Sequence, residues 1–137
     1  MSTIFEKIIA REIPAHIVYE DDLVISFLDI SQATIGHTLV VPKKAYPDIY
    51  EVPDDLLAHA MKVTKKVAIA CKKVFDAPGL NILNNNGSLA GQTVFHFHVH
   101  VIPRYDEKDV TFKFTNHMNE TTTEDYKKRA LLIKEAL

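Results

Sequence analysis

The chain has 137 residues, of which 47% are apolar and 25% charged, with a formal net charge of −2. This is the size and balance of an ordinary globular domain. It lacks the basic excess of a nucleic-acid binder and any apolar run near the roughly 20 residues a membrane-spanning helix needs. Cys71 is the only cysteine, which excludes an intrachain disulfide and fits a reducing compartment. Glu6, Lys7 and Arg11 interrupt the N-terminal segment, so it has no signal-peptide core. These features lead us to expect a cytoplasmic protein without nucleic-acid or membrane partners.

The first predicted element is a short helix. Thr3 and Glu6 have capping-box spacing, and the pairs Ile4/Ile8 and Phe5/Ile9 form an apolar face. Strands follow at Ile17-Val18-Tyr19-Glu20, from Leu23 to Phe27 and at Thr38-Leu39-Val40-Val41. The Asp21-Asp22 break between the first two predicts an antiparallel hairpin. From Asp54 to Phe75, Leu57, Ala60, Met61, Thr64, Val67, Ala68, Cys71, Val74 and Phe75 make a helical stripe. Lys62, Lys65, Lys66, Lys72 and Lys73 occupy the opposite, solvated face, and Cys71 reads as a packing residue. Pro78-Gly79 ends this helix, and Leu80-Asn81-Ile82-Leu83 reads as a strand. Further on, Phe112 and Phe114 suggest a short edge strand, and Thr123 to Leu137 a terminal helix. Segregated helices and short strands predict an α+β fold with a mostly antiparallel sheet.

The segment Val94-Phe95-His96-Phe97-His98-Val99-His100-Val101-Ile102-Pro103 alternates histidine with apolar residues. In a strand, positions i, i+2 and i+4 share a face. A strand ended by Pro103 therefore directs all three imidazoles one way and Phe95, Phe97, Val99 and Val101 into a core. Three uses are open. As purely structural residues, three imidazoles make poor core filling and repel one another when protonated. As metal ligands, two of them can converge with His37 on zinc, but no Cys-x-x-Cys or His-Glu-x-x-His accompanies them. As a phosphate site, they follow a loop, Asn84 to Thr93, whose Gly87 and Gly91 allow close backbone approach and whose Gln92 and Thr93 add donors.

His96-Phe97-His98-Val99-His100-Val101-Ile102 matches in full the His-φ-His-φ-His-φ-φ signature (φ apolar) of the histidine triad, or HIT, proteins, a superfamily of nucleotide hydrolases and transferases. Gly91-Gln92-Thr93-Val94-Phe95, Phe27-Leu28-Asp29-Ile30-Ser31 and Gly36-His37-Thr38-Leu39-Val40-Val41-Pro42-Lys43 also resemble that family, in its order and spacing. The resemblance spans about Ile4 to Arg104. It implies a single domain over residues 1–137, with a core at about 4–104 and an extension at 105–137. The expected HIT-like fold has about five antiparallel strands, one long and one short helix and a C-terminal helix, and it pairs into a homodimer. The implied activity is attack on the α-phosphorus of a purine, chiefly adenine, nucleotide derivative, of phosphoramidase or dinucleoside-polyphosphate hydrolase type. The alternative is a nucleotide-binding regulatory protein with slow turnover. By resemblance His98 is the nucleophile, passing through a nucleotidyl-phosphohistidine intermediate. His96, His100 and His37 bind or polarise phosphate oxygens and assist the leaving group. Asp29 holds the ribose, Ile4, Phe5, Ile8, Phe27, Leu28 and Ile30 line the nucleoside pocket, and Asn85, Gly91, Gln92 and Thr93 serve the phosphate. No cofactor or metal is implied.

The sequence departs from one family pattern. Many bacterial relatives carry Cys-x-x-Cys near the N-terminus and a histidine after Pro-Lys, which hold a structural zinc. Here Thr3, Glu6 and Ala45 stand at those positions, and no such zinc site is expected. His16, His59 and His117 read as surface residues. Arg104 reads equally as a surface charge or a phosphate contact.

Overall fold

The computed structural model describes residues 2–137. Helix α1 (Ile4–Ile9) begins with the expected capping box. The Thr3 hydroxyl accepts the Glu6 N–H at 3.1 Å, and the Glu6 carboxylate accepts the Thr3 N–H at 2.9 Å. Strands β1 (Ile17–Glu20), β2 (Val24–Leu28) and β3 (Thr38–Pro42) follow. The β1–β2 turn forms because the Asp21 carboxylate accepts the backbone N–H groups of Leu23 and Val24, each at 2.8 Å. Helix α2 (Asp54–Phe75) has acids in its first turn and lysines in its last, matching the helix dipole. It stops at Asp76, which takes a left-handed conformation, so Pro78-Gly79 is not the terminator. Strands β4 (Gly79–Leu83) and β5 (Val99–Arg104) complete an antiparallel sheet of order β1-β2-β3-β5-β4. Helix α3 (Thr123–Ala136) is the last element. The architecture is the α+β fold expected.

The sheet separates two cores. On one face Val24, Val40, Val99 and Val101 pack against Ala60, Val63, Val67 and Cys71 of α2. The buried helix stripe is therefore narrower than the sequence pattern: it includes Val63, while Val74 is exposed. On the other face Phe5 and Ile8 of α1 cover Ile25, Phe27, Leu39 and Val41, and burying each such side chain contributes on the order of 2 kcal/mol. α1 covers only part of that face, and the remainder is open to ligands. Gly36, at φ +94°, lies beneath Phe75, and a Cβ there would sit 2.6 Å from the ring.

Three further expectations change. The histidine segment is not one strand: β5 begins at Val99, and residues 94–96 bend. The Phe97 N–H bonds to the Tyr46 carbonyl at 2.6 Å instead of a strand neighbour, and Phe95 is 48% exposed rather than in the core. Pro103 does not end the strand. It pairs with Leu80 of β4, beyond Val101, where pairing with β3 stops, so a missing donor is tolerated. Phe112 and Phe114 form no strand; their rings stack 6.3 Å apart in an irregular segment. No helix among the described residues is long and apolar enough to cross a membrane.

Candidate active site

Strand parity brings the histidines to the α1 face. His100 pairs with Leu39, whose side chain belongs to the α1 core, while Val99 and Val101 face α2. His98 precedes the strand with the same parity, its ring 4.9 Å from that of His100. His37 enters from the loop before β3, with its ring 5.2 Å from His100. Phe5 meets the His98 ring edge-on at 5.0 Å. Phe5, His98 and His100 border a cavity of about 420 Å³, and His37 stands behind His100, outside its wall.

The hydrogen bonds assign the protons. His98 Nδ1 lies 2.7 Å from the His96 carbonyl, which can only accept. Nδ1 therefore carries the proton, and Nε2 keeps its lone pair. The Ala33 N–H donates to His37 Nδ1 at 3.2 Å, so His37 Nε2 holds a proton and donates to His100 Nδ1 at 2.9 Å. That leaves His100 with its own proton on Nε2. Asp29 stands 3.6 Å from His37 Nε2. Burial pushes His37, His96 and His98 below the ordinary value of 6.5. Burial together with repulsion from His98 and His37 takes His100 down to about 4. At pH 7 the four rings are neutral, so each nitrogen is either a donor or an acceptor.

The sequence profile of the HIT domain matches residues 10–107, more than two thirds of the chain. The chain belongs to the HIT family. It is 53% identical to the Hit protein of Bacillus subtilis over 106 residues, which is 77% of this chain and 73% of that one. It superposes on the crystal structure of a HIT family protein from Bacillus anthracis with a TM-score of 0.93 at 47% identity, covering 98% of this chain and 96% of the other. It is also 41% identical over 105 residues to an adenosine 5'-monophosphoramidase of Saccharomyces cerevisiae, over 77% of this chain and 64% of the yeast protein.

In this HIT-family chain the cavity wall collects Ile4, Phe5, Ile8, Phe27, Leu28, Asp29, Ile30, Thr93, His98 and His100 from four separate stretches of sequence. Other predicted residues lie outside the wall. His96 is fully buried, with both ring nitrogens engaged within the protein, so it cannot touch a phosphate. Gln92 is also buried; its amide donates to the carbonyls of Pro47 and Val94 and accepts the Gly87 N–H. The Gly91 N–H bonds to the Ser88 carbonyl, which leaves it no donor for a ligand. Asn85 lies beside Gly91. Its neighbour Asn84 reaches the triad, donating to the His98 carbonyl at 2.9 Å. The small polar residues that suggested a phosphate cradle are thus mostly engaged by other parts of the protein and by their own loop.

Sequence reasoning missed Ile13, Pro14, Ala15 and His16, which line the cavity after α1. Only their position between two recognised elements could have signalled this. His59 is not a free surface residue: its Nε2 bonds to the Asp21 carboxylate at 2.7 Å, tying α2 to the β1–β2 turn. Arg104 is structural. It pairs with Asp109 and donates to Asn81 and to three backbone carbonyls.

Asp29, His37 and His100 are the residues best placed to hold a metal, each offering a donor atom within 4.8 Å of the others. However, two nitrogens on one tetrahedral zinc stand about 3.3 Å apart. The His37–His100 contact is 2.9 Å and has a donor and an acceptor. A hydrogen bond accounts for the approach of the two rings.

Proposed function

We propose that the chain hydrolyses or transfers nucleotide derivatives, with His98 attacking the α-phosphorus. The observation that carries this reading is the His98 Nδ1–H bond to the His96 carbonyl, which leaves Nε2 unprotonated at a cavity wall. Nε2 forms a bond to phosphorus while the bond to the leaving group breaks; the His100 Nε2–H donates a hydrogen bond to the departing group, which takes its proton from water and leaves hydroxide. That hydroxide attacks the nucleotidyl-histidine, breaks its P–N bond, releases the nucleotide and restores the lone pair on His98 Nε2. Two modest displacements replace one difficult one, and fixed donors stabilise charge on the phosphoryl oxygens. The apolar wall of Ile4, Phe5, Ile8, Phe27 and Ile30 suits a base, and Asp29 a ribose. The monophosphoramidase relative supports an adenine nucleotide bearing a nitrogen leaving group.

The decisive experiment is quenching of the protein with an adenosine phosphoramidate in alkaline denaturant, because a histidine P–N bond is acid-labile, followed by peptide mass analysis at neutral to alkaline pH. An adenylyl group on His98 is expected, and His98→Ala should lose it while still binding AMP. Binding of AMP without any adduct or turnover by the wild type would favour the regulatory reading.

We read residues 4–104 as the domain core, residues 105–137 as its extension, and the functional unit as a homodimer. Among the described residues, the edge strand β4 has a neighbour only on the β5 side, and it exposes Ile82. Helix α3 buries no side chain within its own chain, leaving Leu131, Leu132 and Ile133 exposed. Light scattering should give the mass of two chains, and the mass of one would refute pairing.

A further inference from the structure

Thr3 joins the start of α1 to the interior of the site. Its hydroxyl accepts the Glu6 N–H at 3.1 Å and lies 2.8 Å from His96 Nδ1. The other ring nitrogen, Nε2, is 2.7 Å from the Pro42 carbonyl. A carbonyl only accepts, so His96 carries its proton on Nε2 and its lone pair on Nδ1. The Thr3 hydroxyl must then donate to Nδ1. One hydroxyl accepts from the helix backbone and donates to a ring with no solvent exposure, where no water can substitute for it.

The ring so anchored belongs to the residue whose carbonyl fixes the proton on His98. The peptide unit between His96 and Phe97 presents that carbonyl to His98 Nδ1 at 2.7 Å and its N–H to the Tyr46 carbonyl at 2.6 Å. These residues lie outside any strand, so no ladder holds this peptide plane. Its orientation depends on the Tyr46 bond, on the Phe97 side chain buried in the α2-side core, and on the His96 side chain, pinned at both nitrogens.

We propose that Thr3 is a positioning residue for the nucleophile: its hydroxyl locks the orientation of His96, whose main-chain carbonyl holds His98 with Nε2 unprotonated. The proposal rests on the reading of His98 as nucleophile. It assigns catalytic consequence to a residue outside the cavity wall, through two successive hydrogen bonds. Glu6 shares the capping box but not the contact with His96, so the two residues separate helix capping from positioning.

The test compares Thr3→Val, Thr3→Ser and Glu6→Ala by kinetics on an adenosine phosphoramidate and by nitrogen-15 NMR of the ring nitrogens. In the wild type, NMR should place the proton of His96 on Nε2 and that of His98 on Nδ1. Thr3→Val keeps the side-chain shape but removes the hydroxyl. It should lower kcat by about tenfold to a hundredfold, leave KM within about twofold, and give His98 a mixture of tautomers. Thr3→Ser should restore both readouts. Glu6→Ala should lower the melting temperature while keeping kcat and the His98 tautomer. A wild-type His96 protonated on Nδ1 would overturn the proposal even if Thr3→Val fails to fold. So would a Thr3→Val protein with wild-type kcat and tautomers. If His98→Ala retains turnover, the reading of the nucleophile fails instead, and the wild-type tautomers still decide the hydrogen-bond chain.

Discussion

Val99 and His100 are consecutive in β5, yet the faces they reach are held together differently. Toward α2, Val24, Val40, Val99 and Val101 meet Val63 and Val67, and apolar volume does the work. Some polar groups there bond to nearby backbone, as the Thr64 hydroxyl does to the Ala60 carbonyl, and His59 bonds to the Asp21 carboxylate at the edge of the packing. Toward α1, the polar contacts cross long stretches of sequence. His96 bonds to Thr3 and Pro42, and His37 to His100. One face depends on filling space and tolerates exchange of similar shapes. The other depends on which atom holds each proton, where similar shape is not enough.

Substitutions on each face should separate chemistry from stability. The largest effect is expected for His98→Ala, with turnover reduced on the order of a thousandfold or more and thermal unfolding little changed. Turnover within tenfold of wild type would place the nucleophile elsewhere and dissolve the contrast. Val101→Ala is its counterpart, since Val101 is fully buried beneath α2. Denaturant unfolding should show a loss on the order of 2 kcal/mol, while kcat per folded molecule stays at the wild-type value. A marked fall in kcat would mean that the faces are coupled.

Acid should sharpen the comparison further. His100 titrates at about 4 in the folded chain against an ordinary 6.5, and His37, His96 and His98 are shifted the same way. Between these values the unfolded chain binds more protons, so acidification favours unfolding. The stability contributed by neutral rings is complete above pH 6.5 and falls as the pH drops toward 4. Denaturant titrations across this window should show the decline in the wild type and a shallower one in His100→Gln. Equal slopes would indicate that other groups carry the acid sensitivity.

Elements fixed by local chemistry were legible in the sequence. The Thr3–Glu6 box, the α2 stripe and the Asp21 turn each follow from residues a few positions apart. Parity also placed His98 and His100 on one face. The bend at residues 94–96 was not legible, because the Phe97 N–H finds its acceptor at Tyr46, about fifty positions earlier. The roles of Gln92 and Gly91 misled for a related reason. Residues suited to cradling an anion are equally suited to closing a tight loop, and only the fold shows which partners they meet. Pro103 was tolerated in β5 because strand pairing on one side had already ended, a matter of register rather than residue type.

Helix α3 begins with a complete capping box, Thr122 with Asp125, and has no buried side chain. Fourteen residues held by local bonds alone are marginal in water. Its amides therefore exchange with solvent through fraying rather than through global unfolding. Slowed exchange along Leu131 to Ile133 would register the arrival of another molecule on that face.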